Sequence, residues 1–106
     1  MITVPLQPLQ NMTLQVQLDN QACTINIQQY PFGLFLTLYV GGSLIIASVL
    51  CENLVRIVRD TYLGFSGDLV FFDTQGSSDP VYTGLGTRFK LIYLSPSDLS
   101  VLGVSG

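Results

Sequence analysis

The chain has 106 residues, 48% of them hydrophobic and only 10% charged, with a formal net charge of -3. That length makes one domain, whose core hides roughly two-thirds of its unfolded surface and needs neither disulfide nor metal to explain it. Only four residues are basic, Arg56, Arg59, Arg88 and Lys90, too few to follow a phosphate backbone, and the absence of histidine removes the commonest general base and a major metal ligand.

Met1 to Gln10 reads as an extended N-terminal arm. Pro5 and Pro8 allow an edge strand there but not a central one. Val4, Leu6 and Leu9 have apolar side chains to bury and no evident place in the chain's own sheet. An arm of this length reaches roughly 30 Å, enough to lie across a neighbour. Thr13 to Leu18 alternates, with Leu14, Val16 and Leu18 on one face and Thr13, Gln15 and Gln17 on the other. Asp19-Asn20 is a turn signal. Cys23, Ile25 and Ile27 then repeat the alternation against Thr24, Asn26 and Gln28, which predicts a β-hairpin with one wet face.

Pro31 and Gly33 punctuate the next connection. Leu34, Leu36, Leu38 and Val40 share one face of the following strand, and Phe35, Thr37 and Tyr39 the other, which is unusually aromatic for a solvent face. Gly41-Gly42 supplies a two-residue turn. Ser43 to Leu50 returns, apolar at nearly every position, and predicts burial on both faces, in a barrel or at an interface. In Cys51 to Leu63, Leu54, Val55 and Val58 share a helical face, but the β-branched content and short length favour strand and irregular crossover. Asp68 to Phe72 is a short apolar strand and Arg88 to Leu94 an alternating one, joined by a polar loop from Asp73 to Thr87. Ser95 and Pro96 suit a helix cap and first helical position, opening a C-terminal tail over residues 95–106 whose end, Gly103 to Gly106, is expected to be mobile. The fold class is therefore all-β: a small single-domain barrel or sandwich of about six or seven strands spanning residues 1–106.

A typical soluble domain is about 25% charged. A monomer with far fewer charges exposes neutral and apolar surface, which marks contact with a partner. The polar load falls on Gln, Asn, Ser and Thr, which desolvate more cheaply than charged groups. Candidate interface residues are Val4, Leu6, Leu9, Phe35, Tyr39, Leu44 and Ile46. Cys23 and Cys51 read as buried reduced thiols; a disulfide has no supporting framework. No signal peptide or membrane-spanning run is visible, which implies synthesis in a cytosol and no stable membrane insertion.

Asp73, Gly76, Asp79 and Tyr82 mark a candidate functional loop, since a polar loop held by two strands is a common place for function. Its oxygens suggest Ca²⁺, but the acidic density and closing glutamate of a calcium loop are missing. The bland alternative is a turn whose Asp and Ser side chains accept backbone N–H bonds. The glycines lack a Walker lysine and read as turns and bulges. Asp68 and Asp73 lie five positions apart, on opposite faces of a regular strand, and neither Ser66 nor Cys51 has a histidine partner. No catalytic set and no cofactor site follows.

The stretch from Phe65 to Asp73, FSGDLVFFD, followed by Gly76, Asp79-Pro80, Tyr82, Leu85-Gly86 and Arg88-Phe89, resembles the baseplate plug proteins of contractile-tailed phages, the cyanophage type included. Val4-Pro5-Leu6 and Asn11-Met12-Thr13 resemble that family's opening. The resemblance covers most of the chain and is most specific from Phe65 to Phe89. It implies a virion structural protein at the axis of the tail baseplate, not an enzyme. It also implies partners: further copies of itself, as a homotrimer matching a threefold hub, and hub or spike proteins. The alternative from another class is a small β-barrel ligand- or carbohydrate-binding module using Tyr30, Phe35, Tyr39 and the Tyr82 loop.

Overall fold

The structure of the protein, a computed structural model, describes residues 2–58 and 65–101. The first strand, β1, is Ile2–Val4. A four-stranded antiparallel meander follows: β2 (Asn11–Leu18), β3 (Gln21–Tyr30), β4 (Gly33–Val40) and β5 (Ser43–Leu50), in that spatial order. Its register begins at the turns. Asp19 and Asn20 both have positive φ, 52° and 62°, as do Gly41 and Gly42, 58° and 87°. Such turns twist as the flanking strands do, and Asn, Asp and Gly tolerate them best.

The second sheet has three strands, ordered β1, then β7 (Phe89–Leu94), then β6 (Asp68–Asp73), all antiparallel. The two sheets share one core cluster. Ile25, Ile27, Leu36 and Leu38 come from the larger sheet; Leu69, Phe71, Leu91 and Tyr93 from the smaller. The molecule is thus a two-sheet, sandwich-like all-β fold and not a closed barrel. Phe65 and Tyr93 meet edge to face at 5.7 Å, and the Tyr93 hydroxyl donates to the Ser66 carbonyl at 2.6 Å. Burial pushes the Tyr93 phenol up to about 12.

The outer face of β6 and β7 is closed by a short helix, α1 (Pro96–Val101), whose Leu99 packs on Val70 and Leu94. Its start is a reciprocal capping box. Ser95 Oγ accepts the Asp98 N–H at 3.2 Å, and Asp98 Oδ2 accepts the Ser95 N–H at 3.1 Å. The expected cap and first helical position are both found, so this part of the tail is structured; the glycine-bearing end lies outside the described residues.

Two expectations change. The N-terminal lead has a place in its own sheet: Ile2 lies opposite Tyr93 and Val4 opposite Leu91. Val4 is only 2% exposed, so it is not free to bind a neighbour, and Leu6 is half-buried against the core. Second, β5 is not buried on both faces of this chain. Two bulges shift its register against β4, Ser48 takes a φ of 49°, and Leu44 is left 54% exposed while Ile46 turns into the core. The crossover is irregular, as expected: residues 51–58 make one bridge, Asn53 to Phe71, and Leu54 takes a positive φ. The rest of the stretch to Leu63 lies outside the described residues. Among those described, no helix is long and apolar enough to cross a membrane.

Candidate functional site

The loop between β6 and β7 is held at its mouth by charge. Asp73 ends β6, Arg88 precedes β7, and antiparallel pairing brings them together. Arg88 Nε donates to Asp73 Oδ1 and Arg88 Nη2 to Oδ2, both at 2.8 Å. The same carboxylate accepts the N–H groups of Gln75 and Ser78, at 2.9 and 2.8 Å. Chiefly through the Arg88 hydrogen bonds, the Asp73 carboxyl is held well below the usual carboxylate range. Asp79 turns back to the crossover, where its Oδ1 accepts the Asn53 N–H at 3.0 Å, while Asn53 Oδ1 accepts the Asp73 N–H at 2.9 Å. Gly76 sits beside Asp73 and Arg88 with ordinary contacts.

Both oxygens of Asp73 are thus filled by N–H donors, which fits the turn reading and leaves no lone pair aimed at an ion. Among the described residues no three His, Cys, Asp or Glu side chains converge. Asp68 and Asp73 do fall on opposite faces of β6, and each has its own arginine. Asp68 pairs with Arg56 at 2.9 Å and accepts the N–H groups of Val58 and Leu69. These are structural anchors, one for the crossover and one for the loop.

Tyr82 stands in a short 3-10 turn, Tyr82–Gly84, that bridges the sheets. Its N–H donates to Gln29 Oε1 at 3.0 Å, and its hydroxyl accepts from Gln10 Nε2 at 3.2 Å. Gln21 does the same at the other end, accepting the Ser66 N–H at 2.8 Å and donating to the Ser66 carbonyl at 3.1 Å. The sequence carried no sign of these two glutamine clamps, because isolated amides have no periodic pattern.

The apolar features gather elsewhere. At the β3–β4 turn, Tyr30, Phe32 and Phe35 form an aromatic triad: Tyr30 and Phe32 stack at 5.8 Å, and Phe35 meets each edge-on at 5.4 Å. Phe32 is 75% exposed. Beside it Leu50, Pro80 and Val81 line a concavity of about 500 Å³, so the aromatic tip and the loop share one end of the molecule. Tyr39 and Leu44 pair at the far end of β4 and β5, and exposed Leu9 lies near the opposite edge of the sheet. The expected interface residues therefore divide into buried Val4 and Ile46, half-buried Leu6 and Phe35, and exposed Tyr39, Leu44 and Leu9, in separate places. Nor do the aromatics named for a ligand module converge: Tyr39 is roughly 13 Å along β4 from Phe35, and the Tyr82 hydroxyl is engaged by Gln10.

Between these points the outer face of the larger sheet carries no charge. Thr13, Gln15, Thr24, Asn26, Gln28 and Thr37 alternate with the inward residues across β2, β3 and β4. Over the first 51 residues the sole charged side chain is Asp19, in a turn. All four basic residues and the remaining acidic ones follow. An entire sheet face is thus neutral, rich in amides and hydroxyls, and edged by exposed aromatics.

The family model described as cyanophage baseplate Pam3 plug gp18 matches this chain over residues 1–96. No curated protein matches it.

Proposed function

The chain belongs to the cyanophage baseplate plug family, and from that premise we propose that it is a non-enzymatic plug subunit at the axis of the tail baseplate. There it associates with further copies of itself, as a homotrimer on a threefold hub, and with hub and spike proteins. It is made in the host cytoplasm and ends in the virion as one domain, bound neither to nucleic acid nor into a membrane. The observation that carries the reading is the neutral outer face of β2 to β5 with the exposed Phe32 triad at its end. A neutral amide and hydroxyl face desolvates at lower cost than a charged one, and aromatic residues are enriched at interface centres. The loop supports the same reading. Asp73 and Arg88 neutralise each other, and Tyr82 and Asp79 hold structure together.

The test is capture of the hub and spike proteins encoded beside this chain. Wild type should retain them, and Phe32→Ser should retain them poorly. Phe32→Ser gives up two ring pairs, each worth about 0.5–1.5 kcal/mol, so retention is compared at a temperature well below the melting of both chains. Equal retention by both chains removes the aromatic tip from the interface. Failure of wild type to bind any baseplate protein removes the reading.

A further inference from the structure

Two open sheets leave four edges, and natural sheets blunt theirs with short strands, proline, charge, bulges or a covering segment. Three edges here are blunted. β1 is three residues long and runs into Pro5. β6 is covered by the crossover, with Leu54 and Ile57 donating N–H to the carbonyls of Phe71 and Leu69 at 2.8 and 2.9 Å. β5 carries two bulges. β2 has none of these devices: eight residues in unbroken register with β3, without charge, proline or bulge.

The turn fixes which backbone groups lie open. A two-residue hairpin makes Leu18 and Gln21 a hydrogen-bonded pair. Alternation then points Leu18, Val16, Leu14 and Met12 toward β3, and the N–H and C=O groups of Asn11, Thr13, Gln15 and Gln17 away from it. The Gln29 N–H donates to the Gln10 carbonyl at 2.8 Å, which continues the same phase. Among the described residues, no backbone hydrogen bond outside the β2–β3 ladder reaches those four residues.

A groove of about 630 Å³ runs beside this edge, walled by Pro5, Leu6, Leu9, Met12 and Leu14. Met12, Leu14 and Val16 face the core but are only half-buried, although their opposite neighbours Ile27, Ile25 and Cys23 are closed off. The open edge therefore leaves both hydrogen bonds and apolar surface incomplete.

We propose that β2 pairs antiparallel with β2 of a second copy of this chain. A register centred on Leu14 satisfies every position. Asn11 lies opposite Gln17 of the second copy and Thr13 opposite Gln15, exchanging the outward hydrogen bonds. Inward, Met12 meets Val16 and Leu14 meets Leu14, extending the apolar wall of the groove. Carboxamides both donate and accept, so an amide row is complementary to itself. With no charge on β2, copies of net charge -3 meet without like charges opposite one another. A foreign strand is the competing occupant; the second copy is favoured because this register leaves no mismatched pair. The pair is two-fold, so within a trimeric assembly it is a contact between trimers. It is argued from the edge alone and does not rest on the baseplate reading.

Sedimentation of the purified full chain over a dilution series tests it. The expected result is a mass that doubles with concentration. Gln15→Lys places a charge on the edge, and Gln15→Pro removes one outward N–H at a position where proline is tolerated; each should abolish the doubling. Gln15→Lys should melt like the wild-type monomer. Leu14→Cys should form an intermolecular disulfide on oxidation, since Cα atoms of a non-hydrogen-bonded pair lie about 4.5 Å apart. A wild type of constant mass overturns the proposal, whether or not a hub strand later protects the β2 amides from exchange. So does a doubling that survives both Gln15 substitutions. Hub capture can succeed or fail independently of these masses, so the two readings fail separately.

Discussion

Arg88 closes on Asp73 through two parallel hydrogen bonds of 2.8 Å, a bidentate pairing that staples the end of β6 to the start of β7. Geometry of this kind adds direction as well as strength. Asp73→Asn would aim an amide donor at a guanidinium and leave the Arg88 charge uncompensated. Its melting temperature should fall by several degrees. Asp79→Asn keeps the oxygen that accepts the Asn53 N–H and should melt as wild type does. Thermal unfolding followed by circular dichroism separates them, and equal melting of the two would show that Asp73 is not the anchor.

The pH profile should be flat in the middle and fall at both ends. Asp73 titrates below its ordinary value, so its contribution is complete above about pH 4 and is lost as pH drops further. Tyr93 and Cys51 are both pushed up by burial, to about 12. Their neutral forms belong to the folded state, so their contribution is complete below the ordinary thiol and phenol range, about pH 8.5 to 10, and is lost as pH rises from there toward 12. With no histidine in the chain, melting temperature should change little between about pH 5 and 8. A titration step near pH 6.5 would contradict this.

Gly86 and Gly76 should respond oppositely to alanine. Gly86 has a φ of 82°, and an added Cβ would sit 2.3 Å from the Leu6 carbonyl oxygen. The backbone conformation alone costs about 1–2 kcal/mol for an L-residue, and the collision forces the N-terminal segment away. Gly76 offers a Cβ its nearest atoms at 3.4 and 3.6 Å, so Gly76→Ala should stay within about 0.5 kcal/mol of wild type. Urea unfolding midpoints measure both, and a destabilised Gly76→Ala would mean the loop is tighter than these contacts indicate.

Leu91→Ala should lower stability by about 2–5 kcal/mol, the range for a large-to-small change in a closed core. Leu91 is fully buried where β1, β6 and β7 meet. Phe72→Ser, on the opposite face of the same sheet and 43% exposed, should cost markedly less. Similar losses from the two would show that the outer face of β6 is packed more tightly than its exposure suggests.

Much of this fold was legible because alternation survives without context. Leu34, Leu36 and Leu38 announce a strand and its buried face together, and Asp19-Asn20 announces its turn. The resemblance from Phe65 to Phe89 identified the family. What could not be read was pairing over distance. Nothing in Ile2 to Val4 says that its partner is Ile92 or Leu91, so the sequence does not distinguish burial of Val4 in its own sheet from burial in a neighbour. An uninterrupted apolar run also hides bulges: Ser43 to Leu50 looks the same whether Leu44 faces in or out. In the loop, composition shows oxygens but not that Asp73 spends its own on Arg88 and two N–H groups.

The pairing of Ile2 with Tyr93 also sets an order of events during synthesis. Residues 11–50 form a sheet of nearest-neighbour hairpins, and local contacts of that kind form quickly, as soon as the chain leaves the ribosome. The smaller sheet cannot do so. Its first strand, β1, emerges before the meander and waits, unpaired, until β7 has followed. A nascent chain stopped before Phe89 would hold a finished meander with its inner face uncovered. Trigger of the last strand into place is then the step that turns an exposed half-sandwich into a subunit fit for assembly, and a chain cut short there should be drawn to chaperones and proteases.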